Sequence, residues 1–306
     1  MALSALFSAQ AQMFLMLAAG LILRRLHVIR AEDTHCLSGI MMYVLLPCSV
    51  VNAYFGTDLS TFSSMSWIIV ISIAQQLFTY VLSLFFWRSY PREKRAVLRY
   101  GLQFSNCGFI GLPVAESLYG PSGLIYASIY NLPINVFMWT TGLGAFVKER
   151  SSWKNVLSHV LRHPCMVATY FGFLVMFSPF PWPDFLTGTI HHFSSALSPI
   201  SMLLVGSLLA EADLKSLFQK DVVLTSLARL LLVPLFVVLV SIPMKLPALA
   251  VEVSATQAGM PIGSMAAVLA HTYRCDDALA SNCVVFSTVL SLVTVPLLYM
   301  IMNACL

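Results

Sequence analysis

The sequence predicts an all-α membrane protein of ten transmembrane helices, arranged as a five-plus-five inverted repeat in which helices 4 and 9 are broken and cross. Three observations support this prediction. Hydrophobic residues make up 58% of the 306 residues and charged residues only 10%, a composition typical of integral membrane proteins. Basic residues concentrate in alternate loops, and glycine and proline interrupt two apolar segments at matching places in the two halves of the chain.

Ten mostly apolar runs are each long enough to span, or nearly span, the ~30 Å hydrocarbon core of a bilayer. They cover residues 5–23, 36–54, 65–86, 97–118, 124–147, 165–180, 193–210, 222–242, 246–270 and 278–300. The first run has no charged residues before it and no clear cleavage site, so we interpret it as a retained helix and not as a signal peptide. The seven cysteines show no CxxC spacing, so neither a metal site nor a disulfide framework is expected.

The loop charges give an orientation. One set of alternate loops carries nearly all the basic residues, and the opposite set carries only Lys245. By the positive-inside rule the basic loops are cytoplasmic, so we expect a multi-pass protein of the inner (plasma) membrane with both termini extracytoplasmic. This rule also accounts for the net charge of +4, and nucleic acid is not an expected partner.

Ten spans with an outward N-terminus make the two halves enter the membrane from opposite sides, which is the condition for an inverted repeat. We therefore expect a first repeat at residues 1–147, a basic cytoplasmic connector at 148–164 and a second repeat at 165–306.

Two interruptions predict the site. The first lies in the fourth apolar run and the second in the ninth. The interrupting residues are Gly108, Gly111 and Pro113 in the first, and Gly259 and Pro261 in the second. Glycine costs about 1 kcal/mol and proline about 3 kcal/mol in a helix interior. We therefore expect each run to form two half-helices joined by extended backbone, with the second halves beginning after the two prolines.

Paired breaks of this kind have a functional meaning. Irregular backbone at membrane depth is tolerated only where it is buried in protein or lines a cavity. Breaks at matching positions of inverted halves point to the substrate site of a secondary transporter. The alternative is that the prolines only kink packed helices.

The expected site suits an anion. Each helix start carries about half a positive charge and free N–H groups, so two starts near the midplane favour a carboxylate. Asn106 and Gln257 precede the breaks and can offer amide donors, with interhelical hydrogen bonding as their alternative role. Asn131 and Asn135, four residues apart in the fifth run, share a helix face and can line one wall of the crossing.

Three further residues are candidates for coupling or counter-charge. Glu116 follows Pro113 by three residues, so we expect it in the first turn of a half-helix, where it either binds H⁺ or Na⁺ or simply caps the helix. Arg229 either supplies a counter-charge for a dianion, or snorkels, or pairs structurally. Asn282 in the tenth run is the third candidate.

Five segments carry a family resemblance over essentially the whole chain. They are FSNCGFIGLP at 104–113, LP at 46–47, SPISMLLVG at 198–206, ATQAGMP at 255–261 and STVLSLVTVP at 287–296. Together they resemble the auxin efflux carrier family. The short central loop is similar to that of the prokaryotic branch, the malonate- or malate-type permeases, because plant members usually carry a long hydrophilic loop.

The resemblance implies a ten-span inverted repeat with crossed, broken helices 4 and 9. It also implies a scaffold and a transport domain that move against each other, and transport of organic anions such as malate or malonate. Carried over by position, Asn106, Pro113 and Pro261 match the crossover residues that border the family's substrate site.

We therefore expect a secondary active transporter of a small mono- or dicarboxylate such as malate or malonate, working by alternating access. We expect no enzyme activity, no catalytic residue, no cofactor and no metal. The alternatives are a membrane-embedded carboxylate sensor and an ion antiporter of related architecture. The lack of an acid in the fifth run argues against the antiporter. A coupling ion, H⁺ or Na⁺, and a homodimeric assembly in the lipid bilayer are left open.

Overall fold

The computed structural model describes residues 2–30, 32–55, 62–146, 161–162, 164–178, 182–210, 217–244 and 246–305. Within these residues the chain is helical and contains no β-strand, which confirms the predicted all-α class. The α-helices are α1 (Ala2–Arg25), α2 (Asp33–Ile40), α3 (Leu46–Tyr54), α4 (Phe62–Phe85), α5 (Arg92–Gln103), α6 (Leu112–Phe137), α7 (Leu143–Phe146), α8 (Pro164–Met176), α9 (Asp184–Leu209), α10 (Lys220–Leu227), α11 (Val233–Ser241), α12 (Ala248–Ala258), α13 (Met265–Thr272) and α14 (Asp277–Cys305).

Several helical stretches are suited to a bilayer. Those long and apolar enough to cross a membrane among the described residues are Ser66–Phe85, Lys220–Met244 and Asp277–Met302, and two shorter apolar stretches are Cys36–Asn52 and Met166–Val175. Large apolar side chains on the three long stretches, such as Leu77, Leu239 and Val293, are exposed, as expected for lipid contact. The chain is a multi-pass membrane protein, while the count of ten spans and the two repeats remain predictions. The predicted connector at 148–164 falls almost wholly outside the described residues.

Prolines are accommodated by wide helical turns. Three five-residue π-helical turns are each followed by a proline at the second position of the next α-helix: Met41–Leu45 by Pro47, Cys107–Gly111 by Pro113, and Ala228–Leu232 by Pro234. A proline lacks the N–H that the carbonyl four residues earlier would accept, and its ring clashes with that carbonyl. In a π turn this carbonyl bonds five residues onward. These prolines therefore lie inside continuous helical segments.

The turn between the fourth and fifth predicted runs depends on a glycine. Helix α6 bends sharply at Gly120, whose φ of 69° and ψ of −162° are not helical. This conformation is open to glycine and closed to residues that carry a Cβ. The bend falls between residues 118 and 124, where the sequence predicts the loop between these two runs.

The chain forms two compact units, and each takes segments from both halves of the sequence. Unit 1 comprises Met1–Ser63, Gly108–Ile129 and Leu161–Glu211. Unit 2 comprises Ser64–Cys107, Tyr130–Val160 and Ala212–Leu306.

Small residues allow close helix packing in unit 1. A Cβ added to Gly20 of α1 would overlap the carbonyl oxygen of Leu203 in α9, and one added to Gly206 of α9 would overlap the carbonyl oxygen of Leu17 in α1. The two backbones therefore touch, as small residues permit between membrane helices. Gly172 of α8 similarly lies against the ring of Tyr54 in α3.

Aromatic rings pack the helices of unit 2. Phe78 of α4 and Phe236 of α11 stack face to face, with ring centroids 4.0 Å apart. The buried ring of Tyr100 in α5 lies 4.8 Å from Phe104 and 5.6 Å from Phe146, centroid to centroid. These contacts fix the end of α5 beside α7. The first helix break follows directly after this end of α5.

We expect Gly206→Val to destabilise unit 1 by about 1–3 kcal/mol or more, because the added side chain forces the backbones of α1 and α9 apart. The matched control is Gly188→Val in the same helix, where a Cβ would have no atom within 4 Å. Thermal unfolding in detergent measures both. Equal losses of stability in the two variants would contradict the proposed backbone contact.

Candidate functional site

The two predicted interruptions are both present, and they meet. Helix α5 ends at Gln103 and a π turn begins at Cys107, while α12 ends at Ala258 and α13 begins at Met265. The residues between these helical segments, 104–106 and 259–264, form the crossing. They form an antiparallel β-bridge between Ser105 and Ile262.

Hydrogen bonds across the bridge satisfy the interrupted backbone. The Asn106 N–H donates to the carbonyl of Pro261 at 2.7 Å, and the Gly263 N–H donates to the carbonyl of Phe104 at 3.1 Å. The Ile262 N–H donates to the hydroxyl of Ser287 in α14 at 3.0 Å. Buried backbone groups need such partners, so each break depends on the other and on α14.

The position of the first break corrects the sequence prediction. The second half-helices begin at Cys107 and Met265. The expected start after Pro113 is therefore wrong, whereas the other half-helix does begin after Pro261. Pro113 lies within helical structure because the preceding π turn accommodates its ring. Pro261 instead lies in the extended crossing, where its carbonyl serves the bridge and its missing N–H costs nothing.

The corrected helix start also changes the position of Glu116 within its helix. It is half-buried in α6 of unit 1, nine residues beyond Cys107 and therefore in the third turn of its helical segment. The expectation that it lies in the first turn, next to the positive helix end, is wrong, because a helix dipole acts mainly within the first turn. Gly108 and Gly111 lie in the π turn itself.

Gln257 is the most unusual polar residue at the crossing. Its side chain is 0% exposed, and neither its amide nitrogen nor its amide oxygen has a hydrogen-bond partner among the described residues. Its backbone carbonyl accepts from the Ser105 hydroxyl at 3.3 Å and from the Cys107 thiol at 3.6 Å. A buried, unpaired amide costs free energy, so a ligand that pairs with it would be bound favourably.

The other predicted amides differ in their surroundings. Asn106 is buried in the crossing. Asn131 donates from its amide nitrogen to the Cys107 carbonyl at 3.4 Å, and its buried amide oxygen has no partner among the described residues. Asn135 lies one turn further along α6 and is half-buried, and Asn282 is buried in α14. The structure therefore brings Asn131 to the helix start that follows the first break.

Arg229 is fully buried, at 0% exposure, in the π turn Ala228–Leu232. Its guanidinium donates to the carbonyls of Leu102 at 3.2 Å, Gln103 at 3.4 Å, Ala258 at 3.0 Å and Met260 at 3.5 Å. The side chain does not snorkel to an interface. It pairs with backbone at the ends of α5 and α12.

A second cluster of buried polar side chains in unit 2 was not predicted from the sequence. The Tyr130 hydroxyl donates to the amide oxygen of Gln75 at 2.9 Å, and the Ser72 hydroxyl donates to the Tyr130 carbonyl at 2.7 Å. Gln75 and the adjacent Gln76 are both 0% exposed, and the Gln76 amide has no partner among the described residues. Two adjacent glutamines in the long apolar helix α4 were the signal, since polar residues within membrane helices are rare and often functional.

Two breaks that meet in the protein interior are typical of membrane transporters built on discontinuous helices. The membrane transport protein family model matches residues 5–299. An uncharacterized transporter of Methanothermobacter thermautotrophicus is 29% identical over 284 residues, which is 91% of this chain and 92% of that protein. An uncharacterized transporter of Methanocaldococcus jannaschii is 27% identical over 199 residues, 63% of each chain.

The chain therefore belongs to the membrane transport protein family, of the auxin efflux carrier type. The family resemblance inferred from the sequence segments is confirmed.

We expect Ser287→Ala to destabilise the protein by about 1–3 kcal/mol, because it leaves the buried Ile262 N–H without an acceptor. Ser291→Ala in the same helix is the control, since the Ser291 hydroxyl only donates to the Thr288 carbonyl one turn away. Thermal unfolding of the two purified variants makes the comparison. A Ser291 variant as unstable as the Ser287 variant would contradict the role of the bridge.

Proposed function

We propose that this protein is a secondary active transporter of a small organic anion, a mono- or dicarboxylate such as malate or malonate. The substrate binds at the crossing and alternating access carries it across the membrane. Membership of the family supports transport, and the preference for an anion rests on the charges and amides of this chain.

The observation that carries the proposal is the sign of the buried charge. Among the described residues, Arg229 is the buried charged side chain, and no aspartate or glutamate is buried. The helix starts at Cys107 and Met265 add positive ends close to the crossing. A cation would meet no buried carboxylate there, whereas an anion would find a favourable field.

The unpaired Gln257 amide nitrogen supplies a hydrogen-bond donor, which an anion needs. The amide nitrogen of Gln257 is a donor without a partner among the described residues, and a carboxylate oxygen is a strong acceptor for such a group. Apolar side chains of similar size would serve packing better at this position. Ligand binding therefore explains the presence of an amide that packing alone does not favour.

The distribution of acidic residues bears on whether transport is coupled to an ion. No acid is buried among the described residues. We keep Glu116, which is half-buried, as the candidate for H⁺ coupling because it follows the first break. Potential-driven uniport of the anion is the simplest alternative, because one charge is worth about 2.3 kcal/mol per 100 mV. We also propose that the protein lies in the inner (plasma) membrane with both termini extracytoplasmic, where a homodimer is the assembly left open by the sequence.

Uptake of labelled malate and malonate into proteoliposomes tests the proposal, with and without an imposed pH gradient, Na⁺ gradient or membrane potential. Saturable uptake that empty liposomes do not show is the expected result. Saturable binding without flux would indicate a carboxylate sensor instead. Cation-for-proton exchange without carboxylate flux would indicate an ion antiporter.

We expect Gln257→Met to abolish most carboxylate flux while the folded protein stays as stable as the wild type or becomes more stable, because methionine removes the unpaired amide at similar volume. Asn106→Ala should likewise remove most flux. Glu252→Gln in the same helix as Gln257 is the control and should retain flux, because Glu252 lies six residues before the end of α12, away from the crossing. Normal flux in the Gln257 and Asn106 variants would count against the crossing as the site.

The role of Glu116 has its own test. If Glu116 carries the coupling proton, Glu116→Gln should abolish the dependence of flux on the pH gradient, because glutamine cannot ionise. Flux measured at several imposed gradients gives the comparison. An unchanged pH dependence in Glu116→Gln would remove Glu116 from the coupling mechanism.

A further inference from the structure

Arg229 presents an unusual combination of burial and partners. It is wholly buried in a membrane helix, where charged residues are costly and usually pair with a group of opposite charge. Within the part of the chain that the structure describes, its partners are four backbone carbonyl oxygens and no carboxylate. The guanidinium must therefore be stabilised by something other than an ion pair.

Three of the four carbonyls that Arg229 contacts lie at the C-terminal ends of helices. Leu102 and Gln103 are the last residues of α5, and Ala258 is the last residue of α12. The final carbonyls of a helix have no partner within the helix, and each helix end carries about half a negative charge. Two such ends sum to about one negative charge, which a single guanidinium balances.

Carbonyls at the ends of discontinuous helices have another common partner. In transporters with broken helices, unwound backbone carbonyls and half-helix C-terminal ends coordinate the Na⁺ ion. In this chain the Arg229 guanidinium donates to carbonyls of that kind from both broken helices at once. A planar group with five donors can serve several carbonyls simultaneously and stays charged at physiological pH.

We propose that Arg229 is a tethered cation: it fills the carbonyl cluster of Leu102, Gln103, Ala258 and Met260, joins the two broken helices, and takes the place of a metal cation there. Deleting the side chain should open a cation site that accepts free guanidinium. A consequence for transport rests on the proposed function: carboxylate flux needs no Na⁺ bound at this cluster.

Arg229 also changes the net charge of the helix ends at the crossing. With Arg229 in place the C-terminal ends of α5 and α12 are neutralised, and the positive helix starts at Cys107 and Met265 remain uncompensated. Without Arg229 the four helix ends would roughly cancel. Arg229 thus acts as a positioning residue that makes the crossing net positive without having to touch the substrate.

Arg229→Ala is the direct test, measured as the midpoint of thermal unfolding in detergent. We expect a lower midpoint than wild type, and a rise of several degrees on adding guanidinium chloride at millimolar concentrations, below those that unfold proteins. Urea is the neutral, planar control and should give no rise. The wild-type midpoint should not rise with guanidinium, because the site is already filled.

Arg88 provides a matched control, an arginine that donates to a helix-end carbonyl at the protein surface. Arg88 is exposed, and its Nε donates to the Leu84 carbonyl at the end of α4 at 2.7 Å. Arg88→Ala should show no guanidinium-specific rise, because water already solvates that carbonyl. Equal responses of Arg229→Ala to urea and guanidinium, or equal responses of the two alanine variants to guanidinium, would overturn the proposal.

A second pair of variants decides the matter if Arg229→Ala does not fold. Arg229→Lys keeps the charge and Arg229→Met keeps a similar apolar volume. We expect the lysine variant to have the higher unfolding midpoint, because the carbonyl cluster needs a cation. A methionine variant at least as stable as the lysine variant would overturn the proposal, since buried charges are sometimes replaced by apolar groups without loss.

The transport arm uses labelled malate and malonate in proteoliposomes. Flux through the wild type should be the same in Na⁺ and in choline, and Arg229→Met should lower it at least about tenfold, since removing a buried charge with several hydrogen bonds costs more than the ~1.4 kcal/mol of a tenfold change. Na⁺-dependent wild-type flux would overturn the consequence for transport. Absence of flux for both anions would reject the proposed function alone, and the unfolding measurements would still decide the role of Arg229.

Discussion

The backbone at the two helix breaks is the constraint on which the structure depends. A helix interrupted in an apolar interior leaves N–H and C=O groups that no water can satisfy. Here the breaks satisfy each other through the Asn106–Pro261 and Gly263–Phe104 hydrogen bonds, and the Arg229 guanidinium donates to carbonyls at the ends of α5 and α12. Neither helix could be broken alone, because each break supplies the partners of the other.

This arrangement separates two kinds of polar group. The guanidinium and the four carbonyls that it contacts pair with one another, so they join the two broken helices. The amides of Gln257, Gln76 and, in part, Asn131 are buried without partners among the described residues. The first kind serves the fold. The second kind costs stability in the empty protein, and a polar ligand is the partner that would offset this cost.

The sequence was informative about where the helices break and less so about how. Glycine and proline correctly marked the fourth and ninth runs, because their helix penalties are local. The expected helix start at the first break was wrong by several residues, since a π turn around Gly108 and Gly111 accommodates Pro113, and such a turn depends on tertiary packing. Arg229 was identified as a candidate from its place in an apolar run. Its partners are backbone carbonyls, however, and a sequence carries no signal for these.

Gln75 and Gln76 are a second case in which the sequence does not predict the hydrogen-bond partners. Their burial in α4 could have been suspected from two amides in an apolar helix, but only the fold shows that Tyr130 pairs with one of them and leaves the other without a described partner. Position along a helix predicts which face a residue shares, whereas satisfaction of its hydrogen bonds depends on residues far away in the chain. The unpaired amides are therefore the part of the candidate site that needed coordinates, and they are also the part that a purely structural crossing does not explain.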